Sequence, residues 1–156
     1  LSPAGCGKTT LLRDIVRCVS NLGITVSVID ERSEIAACYK GVPQNDIGSC
    51  TDVMDMVPKS RGIMMVLRAM SPRVIAADEI NQLEDLGAIR SARSCGAALL
   101  CTMHSDENCF EQGIMSEGIF ERYIQLGNDK SCRVYDSGLG LLYECSLLAG
   151  EEVLGA

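Results

Sequence analysis

SPAGCGKTT, residues 2–10, is the stretch on which the reading of the chain turns. It fits the pattern G-x-x-x-x-G-K-[ST] at Gly7, Lys8 and Thr9, with Gly5 inside the loop and Ser2 where the pattern opens on glycine. Glycines in such a loop let backbone N–H groups turn inward on phosphate oxygens, and a helix starting near Lys8 adds its positive end. Gly5, Cys6, Gly7, Lys8, Thr9 and Thr10 are therefore candidate nucleotide-binding residues. Lys8 suits the β- and γ-phosphates of ATP, and the Thr9 hydroxyl suits Mg²⁺. The bland alternative is a chance glycine turn before a helix.

The residues after the loop argue against chance. KTTLLRDIVRCVSNL, residues 8–22, sets Leu11, Leu12, Ile15, Val16, Val19 and Leu22 on one helical face, and Gly23 is a good stop. ITVSVID then reads as a strand ending at Asp30. ERSEIAACYKG suits a short helix, and 41–58 an ordered excursion rich in turn residues. A helix is predicted over 59–70 despite Gly62, then a buried strand RVIAA, a helix over 82–95 and a buried strand AALLCTM reaching His104. Strands alternating with helices imply a parallel sheet covered by helices. After a helix near EGIFERY, three short strands within 123–148 suggest an antiparallel extension on one edge of that sheet.

A phosphate loop needs acids at the end of a neighbouring strand, and VIAADE supplies Asp78 and Glu79. Asp78 fits the Walker B metal role beside Thr9, and Glu79 the general base that orients the attacking water. An acidic pair of this kind favours hydrolysis over phosphorylation of a small acceptor.

Composition bounds the rest. At 156 residues the chain suits a single domain, 47% of it hydrophobic but only 4% aromatic. A net charge of −7, with no cluster of Lys and Arg, disfavours direct nucleic-acid binding. The nine cysteines contain no C-x-x-C spacing and read as reduced, buried thiols. A zinc pair of His104 and Cys109 lacks further ligands. No apolar run approaches the ~20 residues that span a bilayer.

Several segments carry a family resemblance. LRAMSPRVIAADEINQLED, CTMHSDE and VIDERSEI resemble the Walker B region, histidine box and aspartate box of secretion ATPases. DERSEIA, GVPQNDIG, TDVMD and MSPRVIAADEI are similar to the stage III sporulation protein AA family within that group, from Ser2 to about Tyr123. Arg73 departs from it, standing where the family usually has Asp.

The resemblance implies a RecA-like P-loop NTPase core whose first strand and N-terminal domain are missing from this chain. Loss of a central strand would leave the isolated chain marginally stable. It also implies a Mg²⁺-dependent ATPase forming a homo-oligomer, a hexameric ring, at the cytoplasmic face of a membrane-embedded secretion or sporulation channel in the mother cell. By position, Glu31 and Glu34 become aspartate-box candidates for metal or water positioning, and His104 a residue coupling the γ-phosphate to strand movement. Arg32, Arg61 and Arg68 are candidates for charge stabilisation, within the chain or across a subunit boundary. Two alternatives remain open: a RecA-like ATPase acting on nucleic acid, and a nucleotide-binding scaffold with little turnover.

Overall fold

The computed structural model describes residues 1–3, 5–80, 83–104, 118–146 and 152–153. Its compact units are two: Thr9–Thr102, and Leu1–Lys8 with Met103–Ala156.

The first unit is an α/β layer structure. Helix α1 (Lys8–Asn21) begins at the unit boundary, and β1 (Val26–Asp30), β2 (Thr51–Asp55), α2 (Lys59–Ala69), β3 (Val74–Ala77), α3 (Leu83–Ser94) and β4 (Ala98–Cys101) come after it. The strands form a parallel sheet in the order β2-β1-β3-β4. Every residue of β1 and β3 is buried, as expected of strands covered on both faces.

Alternation along β1 assigns its two faces. Val26 and Val28 join Leu12 and Val16 of α1 with Ile35, Ala36, Ile47, Val74 and Ala76 in one core cluster. Ser27 and Ile29 point the other way, toward α2, where Ser27 meets Met70 and Ile29 meets Gly62.

Gly62 is therefore a packing requirement in a helix that its composition alone would weaken. A β-carbon built there lies 2.6 Å from Cγ2 of the fully buried Ile29. That methyl sits on a β-branched side chain that is stiff at χ1. Gly62→Ala should gain about 1 kcal/mol of helix propensity but lose about 1–3 kcal/mol to overpacking. Net destabilisation near 1 kcal/mol is the expected outcome, read as a lower urea midpoint at unchanged m; a midpoint that rises would show that the sheet gives way.

The turn residues over 31–48 do not form the short helix expected from ERSEIAACYKG. The buried Asp30 carboxylate takes the N–H groups of Glu34, Ile35 and Ala36, and Ser33 and Ala37 adopt positive φ. Those donors and torsions are incompatible with a helix. Strand β2, hidden in the sequence by Asp52 and Asp55, lies at one end of the strand order and is only partly buried. At the other end β4 is half-exposed, where a buried strand was expected. Leu22 falls beyond the end of α1 and is 78% exposed, because Gly23 at φ +79° turns the chain away.

In the second unit, β5 (Arg122–Leu126), β6 (Ser131–Asp136), β7 (Leu141–Ser146) and β8 (Glu152–Val153) form an antiparallel sheet of their own. Residues 118–121 are not helical, and Arg122 and Tyr123 belong to β5, which replaces the helix expected near EGIFERY. The buried Tyr123 packs edge-on against Phe120, and aromatic and β-branched residues here favour a pleated surface. The start of the chain is bound to β5: the Leu1 nitrogen donates to Ile124 O, and Leu126 N–H donates to Leu1 O.

Candidate functional site

Beyond β5, the glycine loop is anchored at its first residue. Ser2 is fully buried and makes an isolated parallel bridge with His104. Its φ is not positive, so the serine in place of the first glycine meets no steric objection. Gly5 and Gly7 differ, with φ of +78° and +85°. Among the described residues, nothing beyond the chain neighbours lies within 4 Å of a β-carbon built at either one, so backbone conformation demands glycine there.

Lys8 is buried, and its ammonium is turned onto the loop itself. Nζ donates to Ser2 O at 2.9 Å and Pro3 O at 2.8 Å, and lies 3.4 Å from Nδ1 of the exposed His104. Three donors thus meet three acceptors, with the imidazole nitrogen accepting. Cys6 donates from Sγ to Asn128 Oδ1 at 3.0 Å. His104, expected to couple the γ-phosphate to strand movement, faces the lysine here.

In the other unit, the C-terminal ends of the parallel strands gather polar side chains, the usual place for ligands in such sheets. Thr9 Oγ1 donates to Asp78 Oδ2 at 2.7 Å. The Thr102 hydroxyl, at the end of β4, donates to Asp78 Oδ1. Glu79 N–H is shared between Asp78 Oδ1 at 3.0 Å and Thr102 Oγ1 at 2.9 Å, and Glu79 itself sits at φ +48°. A non-glycine residue in that region is uncommon and costs roughly 1 kcal/mol, which these hydrogen bonds offset. Thr9, Asp78 and Glu79 are brought together. Thr102 was missed, although it is the threonine of the Thr-x-His segment.

The aspartate-box residues divide. Glu31 Oε2 is held by Lys59 Nζ at 2.5 Å, which fastens the first residue of α2. Glu34 is exposed, and its backbone carbonyl takes a hydrogen bond from Arg13 at 2.7 Å. Asp30, which sequence reading treated only as a strand end, is the structural carboxylate of the loop. Arg32 Nη1 meets Glu79 Oε2 at 2.6 Å. Arg61 and Arg68 are exposed on α2. Arg68 lies in the last turn of that helix, which leads into the start of β3, whereas Asp78 and Glu79 come after its end. Opposite ends of one strand keep it from the acidic pair of its own chain.

Among the described residues, no group of three or more His, Cys, Asp or Glu side chains is arranged around a metal position. The Thr9–Asp78 oxygen pair fits magnesium better, since that ion takes few protein oxygens and completes its shell with phosphates and water. The eight described cysteines are free; none falls among the buried residues expected of them, and Cys18 and Cys95 are exposed. Cys101 is partly covered as a residue, yet its thiol is removed from water, and that desolvation, with the charge of Asp85 behind it, pushes it up to about 12. It stays protonated at neutral pH and is a poor metal ligand. Cys109 lies outside the described residues. No helix among the described residues is long and apolar enough to cross a membrane.

A parallel sheet flanked by helices, with a glycine loop opening α1 and an acidic pair ending β3, defines the RecA-like P-loop class of α/β proteins. The ATPase DotB of Legionella pneumophila shares the fold, with a TM-score of 0.50 at 21% identity over 75% of this chain and 31% of that one. The sequence profile described as sporulation stage III, protein AA matches residues 1–137. Stage III sporulation protein AA of Bacillus subtilis (strain 168) is 37% identical over 151 residues, covering 87% of this chain. This chain belongs to the stage III sporulation protein AA family. It spans about half the length (49%) of that curated relative.

Proposed function

We propose that the protein is a Mg²⁺-dependent ATPase that serves as the motor of a secretion-type apparatus in sporulation. The observation that carries the reading is the Thr9–Asp78 hydrogen bond with Glu79 beside it, directly after a loop whose Gly5 and Gly7 require glycine. Backbone N–H groups of Gly5, Cys6 and Gly7 cradle the phosphates, Thr10 extends the helix start, and Lys8 leaves the Ser2 and Pro3 carbonyls for phosphate oxygens.

Thr9 and Asp78 hold magnesium, which when bound neutralises charge on the phosphate oxygens. Glu79 orients a water and takes its proton as the water oxygen bonds to the terminal phosphorus. The bond to the bridging oxygen breaks, and ADP leaves with that electron pair. His104, against Lys8, registers the lysine's change of partner. Arg61 and Arg68, exposed on α2, serve a neighbouring subunit of a ring in this reading. Glu31 fastens α2 through Lys59, and neither it nor Glu34 takes a step in this reading. Membrane-embedded channel components are the partners in this reading, and the protein works at the cytoplasmic face in the mother cell.

Steady-state ATP hydrolysis by the full-length protein, recorded with its oligomeric state in one buffer, tests the reading. Turnover should rise with assembly. Should the protein bind ATP and assemble without hydrolysing it, a scaffold replaces the motor.

A further inference from the structure

Glu79 has a firmly held backbone and a carboxylate that is already engaged. Its amide is fixed by Asp78 and Thr102, so only side-chain torsions remain free. Arg32 Nη1 lies 2.6 Å from Oε2, with side-chain exposures of 60% for Arg32 and 20% for Glu79. An ion pair this open adds little to stability. The fold does not need it there either: Asp30 already holds the loop that carries Arg32, and Glu31 already fastens α2.

The contact has a chemical consequence. Arg32 occupies one of the two carboxylate oxygens and holds the side chain toward itself. Glu79 turns fully to a water once Arg32 lets go. A pair this open parts at little cost, and phosphate oxygens match the guanidinium fork at least as well as a carboxylate does. The Thr9–Asp78 pair, one residue from Glu79, marks where the metal and terminal phosphates bind.

Resting on the ATPase reading above, we infer that Arg32 is a positioning residue that exchanges partners. Without nucleotide it holds the Glu79 carboxylate; with ATP it moves to a γ-phosphate oxygen and frees Glu79 for the water. ADP lacks the group that draws it away. The release of the base is thereby tied to the presence of a third phosphate.

The test is calorimetric binding of two Mg²⁺ complexes, ADP and the β,γ-imido analogue of ATP, to the full-length protein. Wild type, Arg32→Ala, Arg32→Lys, Glu79→Gln and the Arg32→Ala/Glu79→Gln double variant are compared. Arg32→Ala should weaken the analogue about tenfold and leave ADP unchanged, with Arg32→Lys intermediate. Glu79→Gln should tighten the analogue several-fold, about as much as a lost competitor allows, and that gain should vanish in the double variant.

Tightening that persists without Arg32 would overturn the exchange. So would an Arg32→Ala effect that is equal for both nucleotides and accompanied by a lower melting temperature, as for a merely structural arginine. If wild type binds neither nucleotide, the ATPase reading itself fails, which is a different result and removes the inference with it.

Discussion

Glu79→Gln is expected to lower ATP turnover by about 10²- to 10³-fold while ATP still binds, the usual scale for loss of a positioned general base. The amide is nearly isosteric, and the backbone bonds from Glu79 N–H to Asp78 and Thr102 do not involve the lost charge. The fold should therefore survive. Glutamine cannot accept the water's proton, so bound ATP persists, and the full-length variant should accumulate in its nucleotide-bound assembly. Single-turnover hydrolysis against nucleotide binding separates the two effects. Turnover within a factor of three of wild type, with binding intact, would remove Glu79 from the chemistry. Because Thr9, Asp78 and Thr102 lie in the same hydrogen-bonded group, their effects should not add to this one.

Asp30→Ala should destabilise the α/β unit by about 3–5 kcal/mol, a large part of the roughly 5–15 kcal/mol that holds a domain together. Asp30 is 1% exposed, and its two oxygens accept the N–H groups of Glu34, Ile35 and Ala36 at 2.8, 3.1 and 2.8 Å. Removing the carboxylate strands those donors, two of them on fully buried residues that belong to the core cluster against α1. Asp30→Asn keeps one good acceptor and should cost about half as much. Glu34→Ala leaves the backbone donor in place and should cost under about 0.5 kcal/mol. Urea titration followed by circular dichroism reads all three. A loss below about 1 kcal/mol for Asp30→Ala would mean that water replaces the carboxylate and that the loop is not held as described.

The two predictions draw on residues of unequal visibility. Asp78 and Glu79 stand out in a string because they end an apolar run in a chain that carries a phosphate loop. Asp30 ends an apolar run just as plainly, but its task depends on where the next six residues fold back. ERSEIAACYKG has fair helix formers, and nothing local says that three of its amides will be claimed by a carboxylate behind them. Gly62 shows the converse. Its composition argues weakly against a helix, and only the approach of Ile29 explains why alanine is absent.

The strands at the two ends of the parallel sheet misled for a related reason. β2 carries Asp52 and Asp55 within five residues, so its periodicity is blurred, yet a strand with one neighbour is only partly buried and leaves Asp52 exposed. β4 reads as a buried run, but its place in the sheet leaves it half-exposed. Burial in a strand depends on how many neighbours it has, which is a property of the whole sheet. The helix expected near EGIFERY is absent over residues 118–123, where Arg122 and Tyr123 pair with Asp136 and Tyr135 of β6, distant residues that the segment itself does not reveal.

By itself the sequence determined the α/β class, the glycine loop, the acidic pair and the family, because each is written in residues close together in the chain. Glycine at positive φ, a hydroxyl after lysine and two acids after a buried strand are local requirements of phosphate and metal chemistry. Only the tertiary structure decided which polar and charged groups meet: Lys59 with Glu31, Arg32 with Glu79, Thr102 with Asp78. Those pairs join residues 24 to 47 positions apart. Electrostatic partnership falls off over a few ångströms of space, and a linear chain does not record that distance until the sheet has brought its strand ends together.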